Sequence, residues 1–142
     1  MPSILGSTDT DTAAAEFLTN IPYLGTIDYG NGITQEFDED GDEVWYKADA
    51  VHRDNDLPAI ICSDGTLKWY KNDECHRDGD KPAIIRSNGT QFWYRNGLLH
   101  RDGDKPAAIY GAGTQEWYQH GLLHRDGGQP VVVYGDGTQF WL

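Results

Sequence analysis

Five tryptophans, Trp45, Trp69, Trp93, Trp117 and Trp141, stand 24 residues apart with no drift. The triplet His-Arg-Asp keeps the same step, at His52-Arg53-Asp54, His76-Arg77-Asp78, His100-Arg101-Asp102 and His124-Arg125-Asp126. So do Pro58, Pro82, Pro106 and Pro130, and the glycines at 41, 65, 89, 113 and 137. A fixed period of this length is the mark of a chain that stacks one supersecondary unit on copies of itself, each burying what its neighbour would otherwise expose. At 142 residues the chain is one such array and not two ordinary domains.

One unit serves for all. Pro82 to Ser87 has the β-branched centre of a strand, Thr90 to Arg95 reads as its return, and Asn88-Gly89 between them predicts a two-residue type I′ turn. That turn sets Ile85 opposite Phe92, Ile84 opposite Trp93 and Ala83 opposite Tyr94. One face then carries Trp93 with Ile84 and Pro82, and it is the drier one, because tryptophan contributes the largest buried area. The other carries Tyr94 with Ala83, Ile85 and Phe92. It is less uniform, since Lys68 and Glu116 hold the position of Phe92 in the neighbouring repeats. A second turn at Asn96-Gly97 opens a loop running to Lys105. Translation by 24 would stack Trp on Trp and Tyr on Tyr. The fold class is therefore all-β, an elongated antiparallel array of hairpins in meander order, about ten strands at ~4.8 Å spacing.

The regular repeats fill residues 51–142. Residues 21–50 read as an irregular capping repeat, with strands from Tyr23, from Ile33 and at Glu43-Val44-Trp45-Tyr46. Residues 1–20 form an arm outside the period, in which Ala13 to Leu18 reads as a short helix needing packing from elsewhere. The arm lacks the charged and apolar regions of a signal peptide, so secretion by that route is not expected.

Charge divides the chain the same way. Residues 1–50 hold eleven acidic residues against Lys47 alone, and residues 51–142 hold twelve against ten, which together make the net −12. An acidic chain lacks the basic footprint that phosphate backbones and anionic lipid surfaces select, so neither nucleic acid nor membrane is an expected partner. Cys62 and Cys75 occupy different repeat positions and no metal-ligand spacing. They read as reduced substitutes for small apolar residues, Cys75 standing where Leu99 and Leu123 stand.

The triplets carry the letters of a protein-kinase catalytic loop, but the chain has no Gly-rich phosphate loop and no Asp-Phe-Gly element. A motif recurring four times at one period is a building block. Arginine's planar fork suits a ladder of bonds along the loops, Arg101 tying either Asp102 or Asp78 one loop away, while His100 stacks or donates to a carbonyl. Pairs such as Asp78 with Asp80 and Asp102 with Asp104 suggest calcium by type, yet lack the EF-hand order and read as solvated turn carboxylates. No catalytic residue, metal or cofactor is expected.

The run Trp93-Tyr94-Arg95-Asn96-Gly97-Leu98-Leu99-His100-Arg101-Asp102-Gly103 resembles variants of the MORN repeat, the membrane-occupation-and-recognition-nexus hairpin, over about residues 32–142. The aromatic-x-Asn-Gly and Asp/Asn-Gly turns match. The His-Arg-Asp-Gly…Pro-Ala portion is the variant's own, and the usual Gly two places after the leading Tyr is missing. Such repeats are common in large DNA viruses, bacteriophages and bacterial immunity-type proteins. The resemblance implies a hairpin array used for interaction or scaffolding, with no catalytic residues to carry over. The resulting expectation is a non-enzymatic structural protein, an accessory or decorating component of a virus or phage particle, found in the virion or the cytoplasm. Its partners are then proteins, in a larger assembly or a homo-oligomer. The alternatives are a module binding carbohydrate or peptide on its Tyr face, and an immunity or antitoxin-like protein. Phe17 and Leu18 in the arm, and Phe140, Trp141 and Leu142 on the last, unpaired strand edge, are the residues expected at an interface.

Overall fold

The computed structural model describes residues 24–142; the arm, its expected helix, Phe17 and Leu18 lie outside them. Every regular element among the described residues is a strand, and the repeats form an elongated hairpin array. Twelve strands make one antiparallel sheet in which each hairpin pairs with the next. The irregular unit contributes Gly25–Gly30, Ile33–Phe37 and Glu43–Lys47, each within one or two residues of the sequence reading, and Ala50–Val51, a strand the sequence did not suggest.

Each later repeat adds two short strands to this sheet, such as Ile84–Ile85 and Gln91–Phe92. The turn joining them is not type I′. Gly89 N bonds Arg86 O at 2.9 Å and Arg86 N bonds Thr90 O at 2.8 Å, leaving three loop residues. Asn88 has negative φ and Gly89 sits at φ +88, the geometry of a type I turn closed by a glycine bulge. The same bonds recur at Gly41, Gly65 and Gly113. The extra loop residue moves the register by one: Ile85 faces Gln91 and Ile84 faces Phe92. Asn-Gly can build either turn, and the sequence pattern does not distinguish them.

The type I′ turns lie instead at the second site of each repeat. Asn96 and Gly97 have φ of 49° and 83°, and Asn72-Asp73 and His120-Gly121 match them. They close a second small hairpin, Tyr94–Arg95 with Leu98–Leu99, where the sequence suggested only a loop. These satellite hairpins join one another: Gly97 N bonds Cys75 O at 2.9 Å and Gly121 N bonds Leu99 O at 2.8 Å.

The corrected register remakes the dry face. Trp69 N bonds Ala83 O, and Trp93 N bonds Ala107 O, both at 2.7 Å. A row therefore runs Trp-Ala-Trp-Ala across the sheet, not Trp on Trp, with Ala in the place foreseen for Ile and Pro. Ala59, Ala83 and Ala107 are fully buried beside indoles only 6–7% exposed at Trp69, Trp93 and Trp117. Small residues fit because each lies between two large ones. On the opposite face, Glu116 is accommodated by accepting bonds from Tyr110 Oη at 3.0 Å and Tyr118 Oη at 3.2 Å. Cys75 packs under Tyr70 with its thiol pushed up to about 12 by burial, so it fills space and is not a nucleophile.

Gly89→Val should destabilise the protein by about 1–3 kcal/mol, because a β-branched residue is strained at positive φ. No neighbour crowds the site, so the loss is conformational. Ala83→Val should cost less, since Val131 already occupies that place in the last repeat, at 3% exposure. Chemical denaturation of both variants checks the order.

Candidate functional site: the His-Arg-Asp ladder

The triplets begin where the satellite hairpin ends. His100 N bonds Trp93 O at 3.0 Å, as His52, His76 and His124 bond their own tryptophans, so each triplet is anchored above its indole. The arginine then lies flat on that ring. The guanidinium carbon of Arg101 is 3.8 Å from the centre of Trp93, and Arg53, Arg77 and Arg125 repeat the stack at 3.8–3.9 Å.

With its face on the indole, the edge of each guanidinium is free to donate. Arg101 Nη1 donates to Pro106 O at 3.1 Å, closing its own loop. Its Nε donates to Asp80 Oδ1 at 2.8 Å, and Nη2 reaches Asp80 Oδ2 at 3.4 Å. Arg77 treats Asp56 and Arg125 treats Asp104 in the same way. The ladder thus exists, but its rung is neither Asp102 nor Asp78; it is the second aspartate of the preceding loop. Lys81 and Lys105 add bonds of 2.9 Å to Asp56 and Asp80.

The first aspartate of each pair has a separate task. Asp102 Oδ1 lies 2.9 Å from His100 Nε2, and Asp54, Asp78 and Asp126 hold their histidines at 2.8 Å. On the far side of the ring, His100 Nδ1 accepts the backbone amide of His120 at 3.0 Å; His76 accepts that of Asn96, and His52 that of Asn72. A nitrogen accepting an amide proton carries none itself, so these rings are neutral, protonated on Nε2 and donating to carboxylate. The carbonyl foreseen as acceptor is not used. Each of these three histidines bridges its own loop to the satellite turn of the next repeat. His124 has no such amide bond, and its side chain is 53% exposed against 3% for His100.

The Asp-x-Asp spacing is therefore a division of labour, one carboxylate for the imidazole of its own loop and one for the next arginine. Among the described residues no cluster of His, Cys, Asp and Glu is arranged to hold a metal ion. Sequence reasoning missed the lysines and the proline carbonyls. The 24-residue recurrence of Lys81 and Lys105 beside the aspartates was the available signal. Phe140, Trp141 and Leu142 lie at the end of the sheet with exposures of 44%, 50% and 81%. No protein-family model, curated protein or solved structure matches the chain.

Two predictions test the ladder. Arg101→Ala should destabilise by about 1–3 kcal/mol, losing the indole cover and stranding Asp80, and Arg101→Lys should recover little because an ammonium has no planar fork. Thermal melts of both variants decide it. The second concerns acid. Bonds from Arg77 and Lys81 hold Asp56 at about 2, and bonds from Arg101 and Lys105 hold Asp80 at about 2, below the ordinary 3.8. A depressed carboxylate stabilises fully above its unfolded value, and that stabilisation is lost as pH falls from about 4 to about 2. Melting temperature should drop across this window, and Asp56→Asn/Asp80→Asn should start lower and fall less steeply.

Proposed function

We propose that this protein is a non-enzymatic interaction and scaffolding repeat protein that works as part of a larger assembly. The observation carrying this reading is the way the recurrent polar side chains are engaged. The triplet arginines and aspartates, and the histidines of the first three triplets, are bound to groups in their own or an adjacent repeat. A nucleophile or general base must be free to meet a substrate, and side chains held in a structural network are not poised for that.

The assembly is a protein one, with a virus or phage particle as the form suggested by the resemblance to MORN-type repeats. Exposed apolar side chains at Leu122, Phe140 and Trp141 support a protein contact. Fractionation of the native source by sedimentation tests the proposal. The chain should travel with particles or large complexes and dissociate only on their disruption. Recovery solely as a free monomer, under gentle conditions and at native concentration, would overturn it. A second reading, a ligand-binding module, is favoured by one specific feature, the clefts between successive loops.

A further inference from the structure

Open clefts run between the first and second and between the second and third His-Arg-Asp loops. The two adjoin, one of about 360 Å³ between the loops at 76–81 and 100–105, the other of about 400 Å³ between those at 52–56 and 76–81. They share Arg77 and Lys81 on the wall between them. The first is lined by five cationic side chains against three carboxylates, the second by four against three. In a chain of net charge −12, these are local basic sites.

The stacked arginines are committed to the ladder, and a second set of cations, each paired with one carboxylate, faces the openings. Lys71 and Lys81 line one cleft, Arg95 and Lys105 the other, all with side chains 47–55% exposed. Each lysine ammonium makes one carboxylate bond and keeps further donors for a ligand. This cation pair is confined to the two central clefts. In the preceding repeat the second place is Leu57, and in the following one the two places are Gln119 and Gln129. The periodic architecture alone does not require that confinement, because the fold accommodates leucine and glutamine at the same sites.

The clefts repeat with the array, two main-sheet strands apart, which is about 9.6 Å at the usual strand spacing. That step is close to the length of two linked sugar rings. Tyr70 and Tyr94 add an aromatic edge to each cleft, and the exposed Asp78 and Asp102 can accept hydroxyl bonds. From this geometry we infer that the two central clefts bind a linear acidic polysaccharide carrying one carboxylate or sulfate per disaccharide, successive anionic groups entering successive clefts. Ionic screening limits repulsion from the acidic first third of the chain to within about 8 Å at physiological salt. This inference rests on the clefts and stands apart from the assembly reading, which could fail without affecting it.

Calorimetric titration of the intact protein with alternating uronate–hexosamine oligosaccharides provides the test. A tetrasaccharide should bind at least tenfold tighter than the disaccharide and than a neutral tetrasaccharide, with affinity falling as salt rises. Lys71→Gln/Arg95→Gln should lose at least tenfold, while circular dichroism reports an intact fold. Conversely, Gln119→Arg/Gln129→Lys should furnish a third cation pair one repeat further on and strengthen binding of a hexasaccharide. Equal affinity for inorganic phosphate or anionic lipid vesicles would overturn the polysaccharide assignment. Unchanged affinity in the Gln119→Arg/Gln129→Lys and Lys71→Gln/Arg95→Gln variants would overturn the site itself.

Discussion

The arginine lying on each tryptophan is the contact on which the rest of the array depends. Among the described residues no second sheet pairs with the main one, so something must keep water from rings that are almost wholly buried. The following loop does this by laying a guanidinium on the ring. The same group then donates to a proline carbonyl of its own loop and to an aspartate one repeat back. A single side chain thereby covers the core, fixes the loop and links neighbours. Few residues can do all three, because the task needs a flat face and several edge donors in one plane.

The second link is chemically different. Histidine acts here through two nitrogens with opposite roles, Nε2 donating to an aspartate and Nδ1 receiving an amide from the next repeat. Ion pairs on their own are weak at a partly wet surface. Joined to stacked rings and amide bonds at every step, they hold loops that contain little regular structure of their own.

The period, the antiparallel order and the main-sheet strand positions were legible because hydrophobic and turn residues recur without drift. The turn chemistry was not. Asn88-Gly89 and Asn96-Gly97 look alike, yet the first builds a glycine bulge and the second a type I′ turn. The difference lies in which register lets alanine sit between two tryptophans, and that is a property of neighbouring repeats. The ladder was half legible for a related reason. An arginine and several aspartates were visible, but choosing Asp80 over Asp78 requires knowing that Asp78 is already held by His76. The lysines at 81 and 105 drew no attention because surface lysine is commonplace. Their interest lies in Leu57 and Gln129, which replace them elsewhere.

The rungs join Asp56 to Arg77, Asp80 to Arg101 and Asp104 to Arg125, and among the described residues the series has no member on either side. One step before Asp56 stands Gly32, and one step after Asp104 stands Gly128, neither with a carboxylate. The loops at 76–80 and 100–104 are consequently gripped from both directions, and those at 52–56 and 124–128 from one. An array of this kind opens as a zipper does, with the flanking loops exchanging their amide protons well before the central pair.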